Sequence, residues 1–223
     1  MDRILEPEVM DTWLEATAYD AMDFTAVNTA FATDAIALDP QAIKVLDVGT
    51  GTARIPILMC QQRPQYLFTG IDLAQSMLII GQRNIEEAQL TQRIRLERVD
   101  SKRMPYPDLE FDMVVSNSLV HHLPDPLSLF QEISRLVKID GAILIRDLIR
   151  PDNDLMVNEL VTKFGSDYDD RQQQLFHDSL KAALTLAEVQ DLLDRIGLTQ
   201  VKLSQTSELH WTLARQRNII DRL

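Results

Sequence analysis

Residues 44–57 read K-V-L-D-V-G-T-G-T-A-R-I-P-I, and this stretch limits the fold more than any other. Val45, Leu46 and Val48 make a short apolar run, the pattern of a strand buried on both faces of a sheet. Gly49 and Gly51 follow at once, and without Cβ atoms the backbone there can turn tightly and approach a ligand closely. A helix is expected to start near Thr52, with Ile55, Ile57 and Leu58 on its inner face and Pro56 tolerated in its first turn. Strand, glycine turn and helix together form the unit from which an open α/β sheet builds a nucleotide site beyond its strand ends. A dinucleotide site favours a third glycine, yet position 54 is Arg, and Asp47 stands two residues before the first glycine. A carboxylate there repels a pyrophosphate and suits a ligand carrying a cationic amino acid group.

The chain continues as an alternation of strands and helices. Tyr66 to Leu73 reads as a second strand with Asp72 near its end, about 20 residues beyond Gly49, where a carboxylate can accept hydrogen bonds from both ribose hydroxyls. The alternative is that Asp72 caps the next helix, whose face includes Met77, Leu78 and Ile79. Ile94 to Val99 alternates apolar and charged residues as a half-wet strand does, and Asp100 and Ser101 end it. Phe111 to Ser116 is the fourth strand, Pro126 to Val137 a helix, Asp140-Gly141 a turn and Ala142 to Ile149 the fifth strand. Asp147 and Arg150 fall near the site mouth, either to contact a substrate or to pair with each other. Thr185 to Glu188 resembles a capping box for a helix ending at Gly197, and Val201 to Thr206 with His210 to Ala214 reads as a closing hairpin. Pro7 to Leu38 is helical in pieces and Pro151 to Ala183 is helical and polar.

These segments match a family pattern. Leu46-Asp47-Val48-Gly49-x-Gly51 resembles motif I of the class I S-adenosylmethionine-dependent methyltransferases, with Ala53 where the pattern has its final glycine. Asp72-Leu73-Ala74-Gln75-Ser76-Met77-Leu78, Phe111-Asp112-Met113-Val114-Val115 and His121-His122-Leu123-Pro124-Asp125-Pro126 extend the resemblance, of the small-molecule, UbiE-like type, over about Ile43 to Ala214. It implies an α/β fold with a Rossmann-like sheet, mostly parallel, whose seventh strand is antiparallel between the fifth and sixth, flanked by helices. It implies S-adenosyl-L-methionine as cofactor: Asp47, Gly49, Thr50 and Gly51 shape the methionine pocket, and Asp72 and Leu73 hold the ribose end. Met77 lies against the adenine, Asp100 meets its exocyclic amine with the Ser101 backbone nearby, and Ser116 and Asn117 bracket the methionine end, often through backbone carbonyls. Residues 1–42 form an N-terminal helical cap and 43–223 the methyltransferase domain, with a helical insertion at about 151–184. Cap and insertion are read either as covers for the pocket and substrate or as surface helices.

His121 and His122 are the catalytic candidates, since an imidazole can take a proton from a hydroxyl or amine near neutral pH. The alternative is one histidine on a loop carbonyl and the other facing solvent. No metal is expected, because neighbouring residues project apart and no third ligand is evident. The formal net charge of −12 favours a small-molecule substrate over nucleic acid. Arg215, Arg217 and Arg222 are candidates for a local basic patch and read first as a solvated tail. No apolar run approaches the ~20 residues of a membrane span. The start M-D-R-I-L-E-P-E lacks the marks of a secretory signal, and Cys60 is the lone cysteine, so the cytoplasm is expected. The predicted reaction is in-line methyl transfer to an O, N or C nucleophile. The competing readings are a non-catalytic binder of the same cofactor, a methyltransferase acting on RNA or protein, and a nicotinamide oxidoreductase, the last opposed by Asp47 and the hairpin. The sequence leaves the oligomeric state open.

Overall fold

The computed structural model describes residues 1–6 and 11–218. β1 (Lys44–Val48), β2 (Leu67–Asp72), β3 (Ile94–Arg98), β4 (Phe111–Asn117), β5 (Val137–Leu148), β6 (Lys202–Gln205) and β7 (His210–Arg215) form one sheet, ordered β3-β2-β1-β4-β5-β7-β6. β1 to β5 pair in parallel, and β7 runs antiparallel between β5 and β6, as the resemblance implied. The strand order reverses between β1 and β4, which opens a crevice beyond their C-terminal ends.

Alternation along the central strands fills two cores. Leu46, Val48, Val114, Ile143 and Ile145 point to one face with Phe130 and Ile133 of α5 (Leu127–Leu136) and Leu192 of α8 (Leu186–Ile196). Val45, Met113, Val115 and Leu144 point to the other, with Phe31 of α2 (Thr25–Leu38), Met59 of α3 (Arg54–Gln62) and Ile85 of α4 (Gln75–Glu87). The helix at 185–197 has the expected ends: Thr185 and Glu188 form a capping box, and Gly197 closes it at φ 65°. α1 (Trp13–Asp20) is opened by a second such box, Thr12 with Glu15.

Two sequence expectations are corrected. Asp140-Gly141 is not a turn: the chain is already in β5 at Val137, paired with Phe111, and a register shift between Phe111 and Met113 absorbs the mismatch as a bulge. The arginines near the C-terminus are not a solvated tail. Arg215 is buried, donating to the carbonyls of Gly141 (2.8 Å) and Lys138 (2.9 Å), and Arg217 pairs with Asp39. Both arginines satisfy carbonyls and acids left by the bulged strand and the end of α2. Arg222 lies outside the described residues, as does Pro7 of the first helical stretch.

The 151–184 segment forms α6 (Asp154–Phe164) and α7 (Asp170–Ala182), which pack on Leu148 through Val157, Leu180 and Ala183. Residues 1–6 lie along it as a strap. Arg3 donates to the carbonyls of Ala182 (2.6 Å), His121 (3.0 Å), Leu123 (2.9 Å) and Pro124 (3.2 Å), and the Ile4 amide donates to the Lys181 carbonyl.

The hairpin is held by Trp211, fully buried in the first core. Trp211→Ala is expected to cost about 3–5 kcal/mol through the cavity it leaves. Urea unfolding monitored by circular dichroism measures this.

Candidate cofactor site

The crevice at the switch point is built first from backbone. The Gly49 and Thr50 amides both donate to the Ile71 carbonyl at 2.9 Å, so the turn after β1 is stitched to the end of β2. The Gly51 amide donates to Asp72 Oδ2 at 2.8 Å, and the Ala74 amide, at the start of α4, donates to Asp72 Oδ1 at 2.9 Å. Gly49 has φ 77°, and a Cβ there would meet the Leu119 side chain at 3.0 Å, so turn and β4 loop close together only with glycine. Ala53, the position lacking the motif's final glycine, also takes a left-handed φ of 63° and precedes α3.

A cleft of roughly 800 Å³, open solvent included, follows this floor. Gly49, Gly51, Asp72, Leu73, Met77, Asp100, Ser101 and Asn117 line it, together with Tyr19, Leu119 and His122. A second lobe shares Tyr19, Gly49, Gly51 and Asn117 with it and adds Asp47 and Thr50. Ten of the expected cofactor residues therefore meet in one place. Ser116 does not: it is fully buried in the sheet, with its hydroxyl donating to the Val48 carbonyl at 2.8 Å. Its side chain turns into the sheet, and of this pair Asn117 lines the opening.

Asp72 takes the helix-start part and also faces the cleft. It ties the helix start through the Ala74 amide and lines the cleft as a half-buried carboxylate. Its carboxyl is raised above the ordinary range by burial, which outweighs the stabilising amides of Ala74 and Gly51. Asp47 is almost wholly buried, with the Thr50 hydroxyl as its hydrogen-bond partner at 2.7 Å, and burial pushes its carboxyl up to about 7. Asp100 accepts from the Lys102 amide and pairs with the Lys102 ammonium at 3.2 Å. Three acids thus tip three neighbouring strands, and among the described residues no lysine or arginine lines the first lobe.

Such a set of acceptors matches an adenosyl group with a cationic tail. The elevated Asp47 carboxyl marks a buried acid short of positive charge, and an ammonium would supply it. Tyr19, missed in the sequence, stands between the acids. Its phenol is pushed up to about 12 by burial first and then by the Asp72 and Asp47 charges, so it stays a neutral donor. The signal was the T-W-L-E box, which fixes α1 and places Tyr19 in its last turn. Asp20 next to it forms a two-point pair with Arg54 (3.0 and 2.8 Å), and Asp11 accepts from Ser76 at the start of α4. The N-terminal helix is therefore latched over the cleft.

The histidine pair departs from the alternative of one ring on a loop carbonyl and the other in solvent. A 3-10 turn at Val120–His122 brings the rings together, centroids 4.1 Å apart, instead of projecting them apart. His121 is buried, with Nδ1 on Asp147 Oδ1 at 2.5 Å and Nε2 facing Glu6 at 3.4 Å. Burial works to lower its pKa, but the Asp147 charge and hydrogen bond, then Glu6, raise it overall; the Asp147 carboxyl is correspondingly lowered. Asp147 also accepts the Val120 amide, so it neither contacts the cleft nor pairs with Arg150, which instead binds Glu188 at 2.6 Å. Of the two histidines, His122 opens on the cleft.

A family model for a methyltransferase domain matches residues 40–216, and the chain belongs to that family, which uses S-adenosylmethionine as its cofactor. It is similar to the demethylmenaquinone methyltransferase of Listeria welshimeri, 32% identical over 108 residues that cover 48% of this chain and 45% of that protein. It is also similar to the 27-O-demethylrifamycin SV methyltransferase of Amycolatopsis mediterranei, 24% identical over 78% of this chain and 61% of that one. The chain thus spans about half the length of the first of these relatives. Among solved structures, a proposed S-adenosylmethionine-dependent methyltransferase of Methanococcus maripaludis has the same fold, with a TM-score of 0.72 at 20% identity over 96% of this chain and 98% of that one. The plantazolicin methyltransferase BpumL, solved with S-adenosylhomocysteine, gives 0.69 at 17% identity over 91% and 89%. Among the described residues no helix is long and apolar enough to cross a membrane.

The Asp47 carboxyl predicts a pH effect. An unfolded Asp titrates near ~3.9, so between about 4 and about 7 the folded, cofactor-free chain holds a proton that the unfolded chain has lost. This group therefore makes stability fall as pH rises through that window. Asp47→Asn should flatten the fall between pH 5 and 7 by up to roughly 2 kcal/mol. Urea unfolding of both proteins at the two pH values tests the sign.

Proposed function

We propose that this chain catalyses in-line methyl transfer from S-adenosylmethionine to a small-molecule acceptor. The observation that carries this reading is the set of acids at the tips of β1, β2 and β3 around a cleft floored by the glycine turn. When bound, the cofactor supplies a methyl group on a sulfonium, an electrophile whose positive charge vanishes as the methyl leaves.

Each residue has a defined part. Asp72 accepts from the ribose hydroxyls with the lone pairs its two backbone amides leave free. Asp100 accepts from the adenine amine, and Met77 and Leu73 give the base and sugar an apolar wall. Asp47, ionised by a nearby ammonium, anchors the methionine end with Thr50. Tyr19 donates from above and, with the latched α1, keeps water from the cleft. Alignment and water exclusion supply much of the rate for so reactive a donor. His122 is the histidine on the acceptor side of the wall, and His121, held between two acids, positions it. The two curated relatives named for small-molecule substrates support an acceptor of that class.

Asp72→Ala should weaken S-adenosylhomocysteine binding at least about tenfold, the loss of two charge-assisted hydrogen bonds. Isothermal calorimetry on the folded variant decides it; unchanged affinity removes the ribose assignment. His122→Ala should leave that affinity within a few-fold and lower turnover in a screen of hydroxyl, amine and quinol acceptors. If no acceptor in the screen consumes the cofactor, the reading as an enzyme of small molecules fails.

A further inference from the structure

Glu6, His121 and His122 bring three ligand atoms to within 4.8 Å of one another at the wall of the cleft. They come from two distant parts of the chain, joined by the strap that Arg3 pins to the 3-10 turn and to α7. We propose that this cluster is a binding site for one divalent transition cation of the zinc type.

Four observations support it. The spacing suits it: bonds of about 2.0–2.1 Å in a tetrahedron put ligand atoms roughly 3.3–3.4 Å apart, Glu6 Oε1 lies 3.4 Å from His121 Nε2 and 3.0 Å from His122 Nδ1, and all three ligand atoms fall within 4.8 Å of one another. The second contact is an approach without a hydrogen bond: His122 Nδ1 is a buried nitrogen with no hydrogen-bond partner, and so is available to a ligand. The outer partner is present as well. His121 gives Nδ1 to Asp147 and turns Nε2 inward, the carboxylate–histidine arrangement that fixes a metal ligand's tautomer. Glu6 and Asp147 flank the imidazoles with two carboxylates, partners suited to a dication that takes the place of ring protons.

Two imidazoles and a carboxylate leave a coordination position open, as in catalytic zinc sites. Because His122 lines the cleft, a cation held here would polarise an acceptor oxygen entering it. That consequence rests on the methyl-transfer reading; the cation site itself does not.

The test is a titration of the full chain, stripped with EDTA, with Zn²⁺ by isothermal calorimetry and with Co²⁺ by visible absorption. Expected are one ion per chain, displaced by chelator, and the intense visible bands of a tetrahedral Co²⁺ centre. Glu6→Gln and His122→Ala should each weaken Zn²⁺ binding by more than the ~10–100-fold that outer partners contribute. His177→Ala, a half-exposed histidine on α7 paired with Asp178, should change nothing. Glu6 sits on the strap outside the sheet, so Glu6→Gln keeps the test decisive should His122→Ala not fold. Absence of saturable binding overturns the proposal and leaves a carboxylate–imidazolium network, and so does binding that Glu6→Gln leaves unchanged. Cofactor affinity, measured separately with S-adenosylhomocysteine, stays high if only the cation site fails.

Discussion

The hydrogen bonds between the glycine turn and the end of β2 hold the rest in place. Ile71 gives its carbonyl to two amides of that turn, and Asp72 gives one oxygen to a third and the other to the start of α4. One strand end thereby sets the turn, the helix and the carboxylate in a single rigid frame. The arrangement has a cost, visible in the raised carboxyls of Asp47 and Asp72, because acids are kept in a dry place without a cation. A cationic ligand relieves that cost, so the same electrostatics that burden the empty fold favour its cofactor.

Above this frame the N-terminal segments are tied at separate points. Asp20 holds Arg54 just past the glycine turn, Asp11 holds Ser76 at the head of α4, and Arg3 reaches four carbonyls across the 3-10 turn and α7. Among the described residues that line the cleft none belongs to the insertion, which seats the strap that brings Glu6 to the histidines.

The sheet was legible in the sequence because buried parallel strands, glycine turns and capping boxes are local signals. Val45 to Val48, the Asp72 strand end and the Thr185 box needed no distant partner to be read. Errors arose where partners far apart in sequence decide the outcome. The bulge at Phe111/Met113 turned a plausible Asp-Gly turn into strand, and Arg215 is buried because that strand offers it carbonyls. The side-chain alternation of β4 turns the Ser116 hydroxyl to the Val48 carbonyl, which leaves its backbone for the bracketing part that the family pattern implies. Tyr19 and Glu6 were missed for the same reason: their importance comes from what lies across the cleft, over 25 residues away in the chain.

Ala53 shows how the fold tolerates a departure from its own motif. A left-handed alanine carries backbone strain of about 1–2 kcal/mol, which glycine would not. Its methyl, however, is fully enclosed in the second core, worth roughly 0.8 kcal/mol, and glycine would add about 0.5–1 kcal/mol of chain entropy to be lost. The two sides nearly cancel. Drift between the two smallest residues at this position is therefore close to thermodynamically silent, and the missing glycine carries no information about whether the pocket works.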